Sequence, residues 1–140
     1  GIICAEVIAG LPARKLDYRM IPRATYTQPQ VASFGYTEKQ AQEAGYNVRT
    51  GKFPFMANGK ALGYGEPAGY IKLVVNEHNN QLLGASLVGP DVSELLPELT
   101  LAQANGLTVE AIAQNIHAHP TLSEVLMEAA EAAEGHAVHL

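Results

Sequence analysis

A chain of 140 residues, 47% hydrophobic and 16% charged, carries enough apolar mass for one packed domain, and global disorder is excluded. No apolar run approaches the roughly 20 residues that cross a bilayer, and no basic segment precedes an apolar one as a signal peptide requires, so no membrane partner is expected. A formal charge of −5 without a basic cluster argues against nucleic acid, and a single cysteine, Cys4, excludes an internal disulfide and a cysteine metal cage and suits a reducing cytoplasm.

The first residues fall directly into an apolar helical pattern with no cap. Ile3, Val7 and Gly10 share a face, with Cys4 and Ile8 beside them. Residues 1–21 are therefore expected to be the end of a preceding domain and its link, and residues 22–140 the domain proper. Thr25 to Thr27 and Val31 to Phe34 read as strands, with Pro29 marking a bend or an edge. Thr37 and Gln40 have the spacing of a helix-capping box, and Gly45 ends that helix. Tyr46 to Phe55 reads as a strand and residues 56–69 as a loop. Tyr70 to Val75 and Leu82 to Val88 form a hairpin about the turn formers Glu77 to Asn80.

The period then changes. Leu95, Leu99 and Ala102 recur at helical spacing after Asp91, with Pro97 within the first turn or so, and Gly106 stops the pattern. Thr108 caps a short helix through Ile112 and Ile116. A last helix runs from about Leu122 to Ala133, burying Leu122, Val125, Leu126, Ala129 and Ala133. Strands first and helices later predict an α+β fold, an antiparallel sheet with helices packed on one face.

The segment His117-Ala118-His119-Pro120-Thr121-Leu122-Ser123-Glu124 carries the chemistry. Thr121 and Glu124 have capping-box spacing, which predicts that Thr121 starts the last helix. Pro120 biases His119 toward extended backbone. Helical side chains lean toward the N-terminus, so Glu124 in the first turn leans back toward His119. A carboxylate bonded to one imidazole nitrogen fixes the tautomer and leaves the other nitrogen free as base or acid. On spacing alone, an ordinary helix start preceded by His-Pro is the stronger reading.

The same segment resembles the C-terminal signature of dihydrolipoamide dehydrogenases, within the pyridine-nucleotide disulfide oxidoreductases. The resemblance extends over Tyr26 to Gly35, where the family more often has glutamate at Gln30, and over Phe53 to Asn58 and Leu83 to Pro90. Residues 1–21 resemble the helix and link that close a flavin-binding domain.

The resemblance implies a homodimer with each active site at the subunit junction. One subunit supplies flavin, nicotinamide site and a redox cysteine pair, and the other supplies the histidine. His119 would be the acid–base catalyst and Glu124 its hydrogen-bond partner, with the backbone of His119 and Pro120 near the partner's flavin. His117 would pack or make a local hydrogen bond. FAD and NAD are implied for the full-length enzyme, along with lipoyl domains and other components of a 2-oxo acid dehydrogenase complex as partners. The paired cysteines and glycine-rich nucleotide motifs are missing here, so this chain alone is expected to bind neither cofactor and to turn nothing over.

Three weaker signals compete. Gly63-Tyr64-Gly65-Glu66-Pro67-Ala68 fits a dinucleotide pattern literally, but no apolar strand precedes it and Pro67 sits where a helix should open. A metal site could draw on His117, His119 and Glu124, with His136 or His139; the ligand set is incomplete, and no metal is expected. A purely interacting module is the remaining class, as in the dimerisation part of a glutathione reductase-like enzyme. Glutathione reductase resembles the chain in His-Pro-Thr but differs on either side, and mercuric reductase usually lacks the histidine.

Overall fold

Alternation along the strands sorts side chains onto two faces, and the structure, a computed structural model describing residues 1–137 and 139, uses both unequally. In chain order the elements are α1 (Ile2–Ile8), β1 (Arg23–Thr25), β2 (Gln30–Gly35), α2 (Glu38–Glu43), β3 (Val48–Pro54), α3 (Gly59–Tyr64), β4 (Tyr70–Asn76), β5 (Leu82–Gly89), α4 (Val92–Ala104), α5 (Val109–Ala113) and α6 (Glu124–Glu134). The five strands form one sheet in the order β1-β2-β5-β4-β3, every neighbouring pair antiparallel.

One face carries Ala32, Phe34, Phe53, Ile71, Leu73, Ala85 and Leu87, and these pack with Leu96 and Leu99 of α4 and with Val125, Leu126 and Ala129 of α6 in one buried cluster. Burying such side chains contributes about 1.5–3 kcal/mol each for the larger ones, which makes this face the main source of stability. Among the described residues the other face has one buried cluster, at a corner where Ala41 of α2 meets Val74 and Leu83. The fold is thus the expected α+β layout, with α2 as a small addition on the second face.

Small residues set how closely α6 approaches the sheet. A Cβ added at Gly51 would lie 2.0 Å from the Ala129 carbonyl oxygen and 2.6 Å from the Ala133 nitrogen. The helix backbone therefore rests almost directly on β3.

Four sequence expectations are corrected. Residues 56–69 are not a loop throughout. Asn58 accepts a hydrogen bond from the Ala61 amide and starts α3, and Gly65 ends it in the left-handed region. Gly63 and Gly65 therefore lie at a helix end, the wrong end for a phosphate cradle. The short helix after Thr108 stops at Ala113, and Thr108 makes no side-chain cap. Ile116 lies beyond it, 94% exposed. Finally, α6 begins at Glu124 and not at Leu122, with Ser123 at the cap position. α1 buries none of its residues in this fold.

Candidate functional site

The segment between α5 and α6 has no regular hydrogen-bond ladder, so side chains must hold it. Ser123 makes no capping bond, and the work falls to Glu124. Its Oε2 accepts from the Thr121 amide at 2.8 Å, and its Oε1 lies 2.8 Å from His119 Nδ1. This is half of the expected capping box. The Thr121 hydroxyl does not return the bond to the helix; it donates to the Ala118 carbonyl at 2.7 Å and lies 2.9 Å from the Ser123 hydroxyl. With the carboxylate as acceptor, Nδ1 carries the proton of the neutral ring and Nε2 is left as the acceptor. The His119 side chain is 78% exposed while that of Glu124 is 19% exposed. A shielded carboxylate thus steers a ring that faces outward. The His119–Pro120 peptide is cis, which the sequence did not announce.

Partial burial pushes the Glu124 carboxyl up, but it is outweighed. The Thr121 amide, the hydrogen bond from His119 and the charges of His119 and His117 hold it below its usual value. A carboxyl lowered in the folded state contributes stability that is present above its unfolded value and is lost as pH falls through the folded one. Glu124→Gln should therefore be less stable than wild type at neutral pH, with the gap closing as pH falls below about 4.3. Urea unfolding at a series of pH values checks this, and a gap of constant size across the series would contradict it.

His117 and His119 do not share a face, although alternate positions allowed it. His117 turns inward, its side chain 5% exposed, with Nε2 3.0 and 3.2 Å from the two oxygens of Glu98 on α4. The metal reading loses its geometry by this divergence. Among the described residues no group of three or more His, Cys, Asp and Glu side chains could hold an ion. His136 is exposed, and His139 contacts Glu128. His119, Glu124, Glu128 and His139, with Phe53, Ala57, Asn58 and Gly59, line a cavity of about 250 Å³.

Sequence reasoning missed two holders of this segment. Asn58 is buried and donates from Nδ2 to the Thr121 carbonyl at 3.0 Å while capping α3. Its only sequence signal was a turn-forming residue ahead of Gly59-Lys60-Ala61. Glu98 accepts from Asn115 Nδ2 at 3.0 Å in addition to meeting His117. Nothing local in the sequence connects an acid in the middle of α4 to a loop 19 residues on.

Residues 21–130 match the family described as pyridine nucleotide-disulphide oxidoreductase, dimerisation domain. The dihydrolipoyl dehydrogenase of Mycobacterium tuberculosis (strain ATCC 25618 / H37Rv) is 54% identical over 140 residues, covering 99% of this chain and 30% of the relative. That of Corynebacterium glutamicum is 50% identical over 142 residues, with the same 99% and 30% coverage. The chain thus spans about 30% of the length of the curated relatives it matches. Among solved structures, the HOCl-induced flavoprotein disulfide reductase RclA from Escherichia coli superposes with a TM-score of 0.82 at 27% identity, over 89% of this chain and 29% of that one. LpdA from Mycobacterium tuberculosis shares the fold, with a TM-score of 0.84 at 24% identity over 91% of this chain and 28% of that one. With the match running through the whole sheet and the His119–Glu124 segment, the chain belongs to the dimerisation-domain family of the pyridine nucleotide-disulphide oxidoreductases.

Proposed function

We propose that this chain is the dimerisation domain of a dihydrolipoyl dehydrogenase and that it lends His119 to the active site of a second subunit. One observation carries the reading. His119 Nδ1 is fixed by Glu124 at 2.8 Å while the ring stands 78% exposed. Among the described residues Nε2 has no protein partner, so it is available to a thiol arriving from outside. His119 would take the proton of dihydrolipoamide, and the thiolate so formed would attack a disulfide elsewhere in the parent. Thiolate is the nucleophile in such exchange, so a base at this point raises the rate. Glu124 holds the ring's orientation and stabilises the imidazolium that results.

The glycine pattern at 63–68 closes α3 and opens no helix, so no dinucleotide is assigned to it. FAD and NAD would be held by other parts of the parent and would accept the electrons. His119 and Pro120 are both exposed, and their backbone can flank such a flavin across the subunit junction. Residues 1–21, which bury nothing here in α1, are assigned to the end of the flavin-binding domain and its link. The exposed thiol of Cys4 suits the cytoplasm to which we assign the parent, with lipoyl domains as its partners.

The dimer reading has its own support. Glu98 bonds both neighbours of Ile116, and Leu101 lies one turn further along α4; these two apolar side chains are 94% and 64% exposed. Obligate interfaces bury about 2,000–5,000 Å² and are apolar. The chain alone should sediment as a dimer, and Ile116→Lys should weaken that dimer by about 10-fold or more. A monomer at high concentration would sink the assignment of this face. The decisive assay is turnover by the full-length parent. NAD reduction with dihydrolipoamide, and no oxidation of reduced nicotinamide by glutathione disulfide, supports the lipoyl reading over the glutathione reductase-like one, while the chain alone should stay at background.

A further inference from the structure

Resting on that reading, we propose that Glu98 and His117 form a second histidine–carboxylate pair whose task is to position the catalytic loop, making Glu98 on α4 a positioning residue for a reaction it never touches. The loop is clamped at two places. On one side Glu98 meets His117 through both oxygens, at 3.0 and 3.2 Å, and takes the Asn115 side-chain amide at 3.0 Å. On the other, residue 121 is held by Glu124 at its amide and by Asn58 at its carbonyl. Residues 118–120 lie between these two ties, and His119 stands in the middle of them.

His117 is an expensive way to fill space. Its side chain is 5% exposed, and its Nδ1 is buried with no partner among the described residues. An apolar side chain of similar volume would pack there without that orphaned nitrogen. What the histidine adds is a directional tie to α4, a helix whose Leu95, Leu96 and Leu99 are buried in the main core. The pair therefore transmits the rigidity of the core to a segment that has no ladder of its own. The charge of His117 is also one of the influences holding the Glu124 carboxyl down, so this pair acts on the one at His119.

The test uses the full-length parent enzyme, with two readouts. One is dihydrolipoamide oxidation with NAD, resolved into kcat and KM. The other is amide hydrogen exchange over the peptide spanning residues 115–122, read by mass spectrometry. Glu98→Ala should speed exchange there and lower kcat about 10-fold with KM moved less than about twofold, the signature of a misplaced group and not of lost binding. Glu98→Gln keeps an oxygen for both His117 and Asn115 and should restore both readouts. If Glu98→Ala does not fold, His117→Leu, which keeps bulk and removes the tie, is read in its place. Unchanged kcat, with or without faster exchange, overturns the proposal, and so does a folded Glu98→Gln that rescues neither readout. A parent that is inactive on dihydrolipoamide would sink the proposed function alone, because exchange over 115–122 still decides whether the clamp exists.

Discussion

In the full-length parent, His119→Ala should lower dihydrolipoamide-dependent NAD reduction by about 100-fold or more, the ordinary scale for losing a positioned acid–base group. At neutral pH a free dithiol is almost entirely protonated, and only its thiolate attacks a disulfide. Without the imidazole, the enzyme must wait for the small ionised fraction of substrate. The defect should therefore shrink as the pH rises toward the substrate thiol's own pKa, because more of the substrate then arrives already ionised. His119→Gln should be as poor as alanine, since an amide can hydrogen-bond to Glu124 but cannot carry a proton back and forth. Steady-state rates from pH 6 to 9 check both statements. A loss below about threefold at neutral pH would remove His119 from the mechanism. A loss that does not narrow at high pH would mean the ring acts by something other than proton transfer.

The second large effect concerns stability. Gly51→Ala should cost about 3 kcal/mol or more, at the upper end of overpacking penalties, because the atoms it meets are backbone and cannot swing aside. The added carbon would sit 2.0 Å from the Ala129 carbonyl oxygen, so either β3 or α6 must move. Urea unfolding of the chain measures the loss, and a change under about 0.5 kcal/mol would show that the helix does not approach the strand as described. Any relief has a further effect. Ala129 and Ala133 belong to the helix that begins with Glu124, so lifting α6 also displaces the carboxylate from His119. A folded Gly51→Ala parent should therefore lose turnover as well as stability.

Why some of this was legible in the sequence and some was not follows from the range of each interaction. The β4–β5 hairpin and the capping box at Thr37 and Gln40 are built from neighbours in sequence, and residue type and spacing reveal them; both are present. The buried stripe of α6 was visible as Val125, Leu126, Ala129 and Ala133 at helical intervals. The lean of Glu124 toward His119 is likewise a five-residue matter of helix geometry. What failed was the detail of where helices start and stop. At Thr121 the hydroxyl had a second acceptor in the Ala118 carbonyl, and the capping pattern could not show which bond would win. At Ile116 an apolar residue on helical spacing was assigned to a helix, although the chain ends that helix at Ala113 and turns to meet Glu98. The ties from Asn58 to Thr121 and from Glu98 to His117 span 63 and 19 residues. They depend on how α3 and α4 settle on the sheet, which no local pattern records.

The outward stance of the His119 ring makes catalysis, on the proposed reading, a property of couples and not of individuals. Rate would track how many chains have found a mate, fading on dilution before any chain unfolds. Two copies damaged in different places could then mend each other: one without this imidazole, joined to one without its cysteines, would leave a single working junction in the hybrid.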